Sequence, residues 1–239
     1  MVQAEILHES ETLLVRHMPG TEPVLVLAIS GIQGGLGGVQ VDEFAGTASG
    51  SGRNHVLFVR DKLRSWFSRE DVLLPLIELV QDFIAAHGIT KVVTIGNSMG
   101  GYGALLLPKH VPVDVAVAFA PQVSMHDEVV AEPRWKQSRV HFGPLLERNV
   151  AECLQDRTQY YVIFGRADNR DRKHMRLVSQ CDNLRLYKVP GSQHGVAKDL
   201  KEAGVLRDLV GHFFARNTRA ANGVMRGYRE ALSAQEDGS

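Results

Sequence analysis

The sequence predicts an α/β fold built on a mostly parallel sheet, and three observations indicate it. Short apolar segments alternate with stretches of helical periodicity along most of the chain. Several of the apolar segments are near-continuous runs of Val, Ile and Leu, which are typical of strands covered on both faces. The first two strand-like segments follow each other without a helix, so we expect an antiparallel pair at one edge of the sheet.

The elements follow from local pattern in chain order. Apolar runs predict strands over residues 4–9, 12–18, 24–30, 55–61, 91–97, 113–120, 159–165 and 184–190. Apolar residues at helical spacing predict helices over residues 72–88, 99–110, 171–180 and 198–217. Gly88 suits the end of the first helix, and Pro75 stands near its start, where a helix tolerates proline.

Length and composition limit the classes of function. The 239 residues suit one large domain or two small ones. We expect a single domain over residues 1–217, followed by a surface helix with a frayed tail over 218–239. Lys plus Arg and Asp plus Glu both number 27, and this balance argues against a nucleic-acid binder or an anionic membrane partner. Cys153 and Cys181 are too few for a disulfide framework. With no signal-like segment and no long apolar run, we expect a cytoplasmic protein.

A nucleophile motif stands between a predicted strand and a predicted helix. Residues 96–100 read Gly-Asn-Ser-Met-Gly, which matches G-x-S-x-G. This placement would hold Ser98 on a sharp turn with its hydroxyl projecting over the sheet. The following helix would point free N–H groups at the same place, where a developing oxyanion would be stabilised. The motif therefore predicts Ser98 as a catalytic nucleophile.

A serine nucleophile needs a base, and the base needs an acid. His194 follows the last strand and precedes the last helix, so it would emerge at the same sheet end as Ser98. The preceding strand ends in Gly-Arg-Ala-Asp168, which places Asp168 at a strand tip beside that of His194. Asp171 is the alternative, although its position favours capping of the next helix. We therefore predict Asp168 as the acid.

The oxyanion hole needs two backbone donors. The N–H of Met99 should supply one of them, because Met99 directly follows the nucleophile. The loop after the third strand should supply the other, with Ile32 as first choice and Gln33 as second. Gly31 would let that loop turn sharply enough to point an N–H inward.

These motifs resemble the α/β-hydrolase superfamily over roughly residues 4–217. The resemblance implies an eight-stranded sheet with helices on both faces and a triad of Ser98, Asp168 and His194, with Met99 and Ile32 as oxyanion donors. Many members carry His-Gly after the third strand, where this chain has Ser30 and Gly31, so the local hydrogen bonding there should differ. Residues 124–156 lie where members insert a cap, and their length suits a small cap or a plain connection.

The implied activity is hydrolysis of an ester or thioester of a small acyl substrate, with no metal or organic cofactor. A loop with Arg60, Arg64 and Trp66 would emerge near the pocket, either as a reader of anionic substrates or as a self-paired surface loop. Acyl transfer and a non-catalytic binder are the alternatives on this scaffold. A dinucleotide-binding fold is disfavoured, because the glycine-rich run after Gly31 lacks the last glycine of GxGxxG.

Overall fold

A computed structural model describes residues 4–32 and 40–237. Its centre is an eight-stranded sheet, and the strands run in the spatial order β1-β2-β4-β3-β5-β6-β7-β8. The strands are β1 (Glu5–Glu9), β2 (Leu13–Met18), β3 (Val24–Ile29), β4 (His55–Asp61), β5 (Lys91–Asn97), β6 (Val115–Phe119), β7 (Gln159–Gly165) and β8 (Leu184–Val189). β2 is antiparallel to both β1 and β4, and every other neighbouring pair is parallel. The predicted fold class is therefore confirmed.

Seven α-helices lie around the sheet in the described part of the chain. They are α1 (Ala45–Ala48), α2 (Glu70–Ala86), α3 (Met99–Leu106), α4 (Asn169–Arg176), α5 (Val196–Glu202), α6 (Leu206–Phe214) and α7 (Thr218–Asp237). The predicted helix over 198–217 is divided into α5 and α6, because Gly204 adopts a left-handed φ of 76° between them. The short helix α1 was not predicted, since four residues carry no readable periodicity.

The central strands supply most of the core. Every residue of β6 is buried, whereas most of β1 is exposed at the sheet edge. Helix α3 packs across β3, β5 and β6, and the C-terminal helix α7 packs against α6. Ala221 and Met225 of α7 are buried, and the Tyr187 hydroxyl of β8 donates to Asn222 Oδ1 at 2.8 Å. The C-terminal helix is therefore docked on the sheet edge.

Pro75 lies inside α2 and not in its first turn. Because proline has no N–H, the carbonyl of Asp71, four residues earlier, loses its helical partner. The Thr12 hydroxyl, from the start of β2, donates to that carbonyl at 2.9 Å. Gly88 ends the helix with a φ of 59°, as predicted for a glycine at this position.

The connection between β6 and β7 contains only 3₁₀ segments, Pro133–His141 and Val150–Glu152, and no α-helix. It crosses the carboxyl ends of the strands, since Gly143 N–H donates to Ser68 Oγ and Glu147 N–H donates to the Tyr102 hydroxyl. Among the described residues, none of the helices has both the length and the apolar character needed to cross a bilayer.

Candidate active site

The turn between β5 and α3 holds Ser98 in a strained conformation, with φ 58° and ψ −118°. Glycines on both sides make the turn possible. A Cβ on Gly96 would lie 2.2 Å from the Gly100 carbonyl oxygen, and a Cβ on Gly100 would lie 2.1 Å from the Ile29 carbonyl oxygen. The sequence motif therefore forms a nucleophile elbow, in which only glycine fits the two flanking positions.

His194 lies beside Ser98 across the carboxyl end of the sheet. Its loop joins β8 to α5 and contains Gly191, whose φ of 70° turns the chain back toward the site. The His194 Nε2 atom lies 3.0 Å from Ser98 Oγ. Ser98 is only 5% exposed, so this hydrogen bond is largely shielded from water. The geometry fits an imidazole that accepts the serine proton.

The carboxylate that contacts His194 is Asp171, and the prediction of Asp168 is corrected. The two Asp171 oxygens lie 2.9 and 2.8 Å from His194 Nδ1. Asp168 instead caps α4, because its Oδ1 accepts the N–H groups of Arg170 at 2.7 Å and Asp171 at 3.1 Å. Asp168, at the strand tip, is thus hydrogen-bonded to the start of α4, and Asp171, three residues later, contacts His194.

The two acids differ in environment as well as in contact. Asp171 is only 1% exposed, which favours a fixed carboxylate position. Partial burial of Asp168 opposes its ionisation. The capping N–H groups, with charge from Arg134 and His194, outweigh burial and lower the Asp168 pKa below its ordinary value. Asp168 is therefore an ionised cap that stabilises the helix carrying Asp171.

Gln122 also contacts Ser98, and the sequence did not predict this contact. Its Nε2 atom lies 2.9 Å from Ser98 Oγ, and its Oε1 atom lies 3.1 Å from the same oxygen. Gln122 is fully buried just after β6, the strand beside β5. The signal for it was its place after a strand at the catalytic end of the sheet. The amide can fix the serine hydroxyl by donating to it while that hydroxyl donates to His194.

A buried charged cluster stands behind Asp171. Arg134, from the β6–β7 connection, donates through Nη1 to Asp171 Oδ1 at 2.9 Å. Its Nε donates to both oxygens of Glu132, at 2.9 and 3.0 Å, and His174 Nε2 lies 3.1 Å from Glu132 Oε2. Burial of Glu132 opposes its charge, but the contacts with His174 and Arg134 outweigh burial and hold its pKa far below the ordinary value.

The predicted oxyanion loop lies beside the elbow. Met99 is the first residue of α3, and Ile32 is 3% exposed in the loop after β3. The loop is held by its own bonds, since the Ser30 hydroxyl donates to the Val41 carbonyl at 2.9 Å and Gln40 Nε2 donates to the Gly31 carbonyl at 3.0 Å. Gln33 lies outside the described residues. The roles of Met99 and Ile32 as oxyanion donors remain predictions.

Two residues proposed for substrate recognition are occupied elsewhere, which corrects those predictions. Arg60 donates through Nη2 to Asp42 at 2.6 Å, and Asp42 also pairs with Arg16. Trp66 is fully buried and packs edge-on against Phe142, so it is a core side chain and not a pocket wall.

The loop after β4 folds around the buried carboxylate of Asp61. This carboxylate accepts from the N–H groups of Ser65 at 2.7 Å and Phe67 at 3.1 Å, and from the Ser65 hydroxyl at 2.8 Å. Arg64 donates through Nε to the Ile32 carbonyl at 3.2 Å, which places it on the predicted oxyanion loop. Its part in substrate recognition remains a prediction.

No group of three or more His, Cys, Asp or Glu side chains within residues 4–32 and 40–237 is arranged to hold a metal ion. The arrangement instead offers acid–base and nucleophilic chemistry through oxygen and imidazole groups. A proton can pass from Ser98 to His194 while Asp171 stabilises the resulting imidazolium.

Comparisons with known proteins find similar folds among solved structures. No protein-family model matches the chain, and no curated protein matches it either. One similar structure is an α/β hydrolase enzyme from the metagenome of sediments of the Mar Chica lagoon, Morocco, at 21% identity over 90% of this chain and 99% of that chain, with a TM-score of 0.56.

Two further structures show the same likeness. One is an α/β serine hydrolase without lid from Xanthomonas campestris, at 17% identity over 90% of this chain and 94% of that chain, with a TM-score of 0.55. The other is the capsule O-acetyltransferase of Neisseria meningitidis serogroup A, at 12% identity over 84% and 93% of the two chains, with a TM-score of 0.57. The strand order and these likenesses together show that the chain has the α/β-hydrolase fold.

Proposed function

We propose that the chain is a serine hydrolase that cleaves an acyl ester or thioester of a small molecule through an acyl-enzyme intermediate. The observation that carries this proposal is the hydrogen-bonded series from Asp171 through His194 to Ser98 Oγ. It ends on a strained serine at the start of a helix. A serine with a purely structural role needs neither the strained turn nor a paired imidazole.

The first half of the reaction follows from this geometry. His194 takes the Ser98 proton through Nε2 as Oγ attacks the substrate carbonyl, and the carbonyl oxygen becomes an oxyanion. In this proposal the N–H groups of Met99, at the start of α3, and of Ile32 stabilise that charge. His194 then gives its proton to the leaving group, and the acyl group remains on Ser98 Oγ.

The second half releases the acyl group. A water molecule gives its proton to His194 as it attacks the acyl carbon, and the proton returns to Ser98 Oγ when the acid leaves. Through both halves Asp171 offsets the charge of the imidazolium, which is worth most in a site shielded from water.

Acyl transfer to an alcohol is the second candidate. A transferase would need a polar group beside Ser98 Oγ to hold an acceptor hydroxyl, and the Gln122 amide is such a group. A capsule O-acetyltransferase has a similar fold, so the scaffold is compatible with acyl transfer.

The test combines labelling with a substrate panel. We expect a fluorophosphonate probe to label the wild-type protein, and acyl esters and thioesters of increasing chain length to be turned over with one preferred class by kcat/KM. Adding an alcohol acceptor separates hydrolysis from transfer, because a transferase forms a new ester in place of free acid. Absence of both labelling and turnover would leave a non-catalytic binding protein.

A further inference from the structure

We propose that Arg134 is a positioning residue that holds the Asp171 carboxylate toward His194 and offsets part of its negative charge. This inference rests on the proposed function and adds a residue that the nucleophile, base and acid do not include. Arg134 lies at the start of the first 3₁₀ segment of the β6–β7 connection, Pro133–His141. This connection would therefore contribute a residue that supports catalysis.

The contacts fix the guanidinium group at two points. On one edge, Nη1 lies 2.9 Å from Asp171 Oδ1, the oxygen that is itself 2.9 Å from His194 Nδ1. On the other edge, Nε bonds both oxygens of Glu132. A planar guanidinium suits this two-sided arrangement, which the single ammonium of lysine cannot reproduce.

The charged side chains at this site are buried, which strengthens their interactions. The side chain of Arg134 is 11% exposed, and those of Glu132 and Asp171 are 0% and 1% exposed. Charges interact more strongly in such surroundings than they do in water. Among the described residues, Asp171 Oδ2 hydrogen-bonds only to His194, whereas Oδ1 contacts both His194 and Arg134. His194 and Arg134 therefore share one carboxylate.

The charged and titratable groups that face this site come from three elements. They are Asp171 and His174 of α4, Asp168 at its cap, Arg134 and Glu132 of the β6–β7 connection, and His194 of the β8–α5 loop. With both histidines neutral, one cation faces three carboxylates. Removing Arg134 therefore leaves a strongly negative site, which favours protonated His194. Removing the charge of Glu132 has the opposite sign, because Arg134 then acts on Asp171 with less compensation.

The experiment measures kcat/KM against pH for wild type, Arg134→Met and Glu132→Gln. We expect the acidic limb of the profile to move up by about one pH unit in Arg134→Met and to move down in Glu132→Gln. Arg134→Lys keeps the charge and should move the limb less than Arg134→Met. Arg148→Met is the matched control, because Arg148 lies on the same connection and, among the described residues, pairs only with the exposed Glu128. This variant should leave the profile unchanged.

If Arg134→Met does not fold, the double variant Arg134→Met, Glu132→Leu is used in its place, because it removes both charges of the buried pair. The pH titration of His194 by NMR, assigned with His194→Gln, provides a readout that needs no turnover. Inactivity of the wild type against every acyl substrate would overturn the proposed function but not this inference. Overlapping His194 titrations in wild type and folded Arg134→Met would overturn the inference. Where the double variant is used, it is compared with Glu132→Leu, since the two charges act with opposite sign, and overlap of those two titrations would overturn the inference.

Discussion

The carboxylate of Asp171 lies 2.8 and 2.9 Å from Nδ1 of His194, while the carboxylate of Asp168, three residues earlier, points into the N-terminus of the same helix. The two aspartates therefore do different work within one helical turn. Asp168 fixes where α4 begins, and that start places Asp171 under the imidazole.

This division predicts unequal effects of two amide substitutions. Asp171→Asn should lower kcat by about 10⁴-fold, because an amide disturbs the tautomer of His194 and does not stabilise its charged form. Asp168→Asn should keep most activity, since asparagine caps a helix as well as aspartate. Steady-state kinetics on both variants checks this. A larger kcat loss in Asp168→Asn than in Asp171→Asn would return the acid role to Asp168.

The amide of Gln122 is expected to orient the nucleophile. Gln122→Ala should lower kcat/KM by roughly fivefold to tenfold, the value of one neutral hydrogen bond, without loss of the folded state. Gln122→Glu should cost more, because a carboxylate near Oγ opposes the developing negative charge. The rate of fluorophosphonate labelling measures both variants without a chosen substrate, and unchanged rates would remove Gln122 from the mechanism.

One glycine of the elbow and one glycine of α7 offer a matched pair of substitutions. Gly100→Ala would place a Cβ 2.1 Å from the Ile29 carbonyl oxygen, so we expect a destabilisation of more than about 3 kcal/mol and no activity. Gly223→Ala in α7 meets nothing within 4 Å and should stabilise the protein by about 0.5–1 kcal/mol. Urea unfolding of the two variants compares them directly. Similar effects at both sites would contradict the crowding at the elbow.

A histidine cluster at the opposite end of the sheet predicts acid sensitivity. His17 Nε2 lies 3.1 Å from His55 Nδ1, and the ring of His87 stands close to both. Burial lowers the pKa values of His17 and His55 below the ordinary 6.5, and the neighbouring imidazoles lower them further. The unfolded chain therefore takes up protons first as the pH falls. This stability is present above about pH 6.5 and is lost as the pH falls through the lower folded-state values.

The check is urea unfolding of wild type and His55→Gln at pH 8 and pH 5.5. The variant should lose less stability between the two pH values, because one depressed histidine is gone. Burial raises the Glu43 pKa to about 7, which acts with the opposite sign over part of this range, so the difference between the two proteins isolates the histidine effect. An equal loss in both proteins would contradict the prediction.

The sequence allowed all eight strands to be predicted. Most of the parallel strands are buried apolar runs bounded by polar residues, and the two antiparallel strands β1 and β2 are short apolar segments that precede them. It also predicted that Ser98 and His194 lie at one end of the sheet, since motif and strand order place both there, and the two side chains are in contact. The sequence did not decide between Asp168 and Asp171, because either aspartate could have capped α4 and left the other to contact His194. Arg134 contacts Asp171 across 37 residues from a segment without periodicity, so no local pattern could reveal it.

The central claim is that Ser98 is the covalent nucleophile of an acyl-enzyme mechanism. The most direct measurement is intact-protein mass spectrometry after exposure to a fluorophosphonate, on wild type and on Ser98→Ala with matching circular dichroism spectra. We predict one added phosphonyl group on the wild type, located by peptide mapping to Ser98, and none on the variant. Labelling of the Ser98→Ala protein to the same extent, or of the wild type at another residue, would contradict the account.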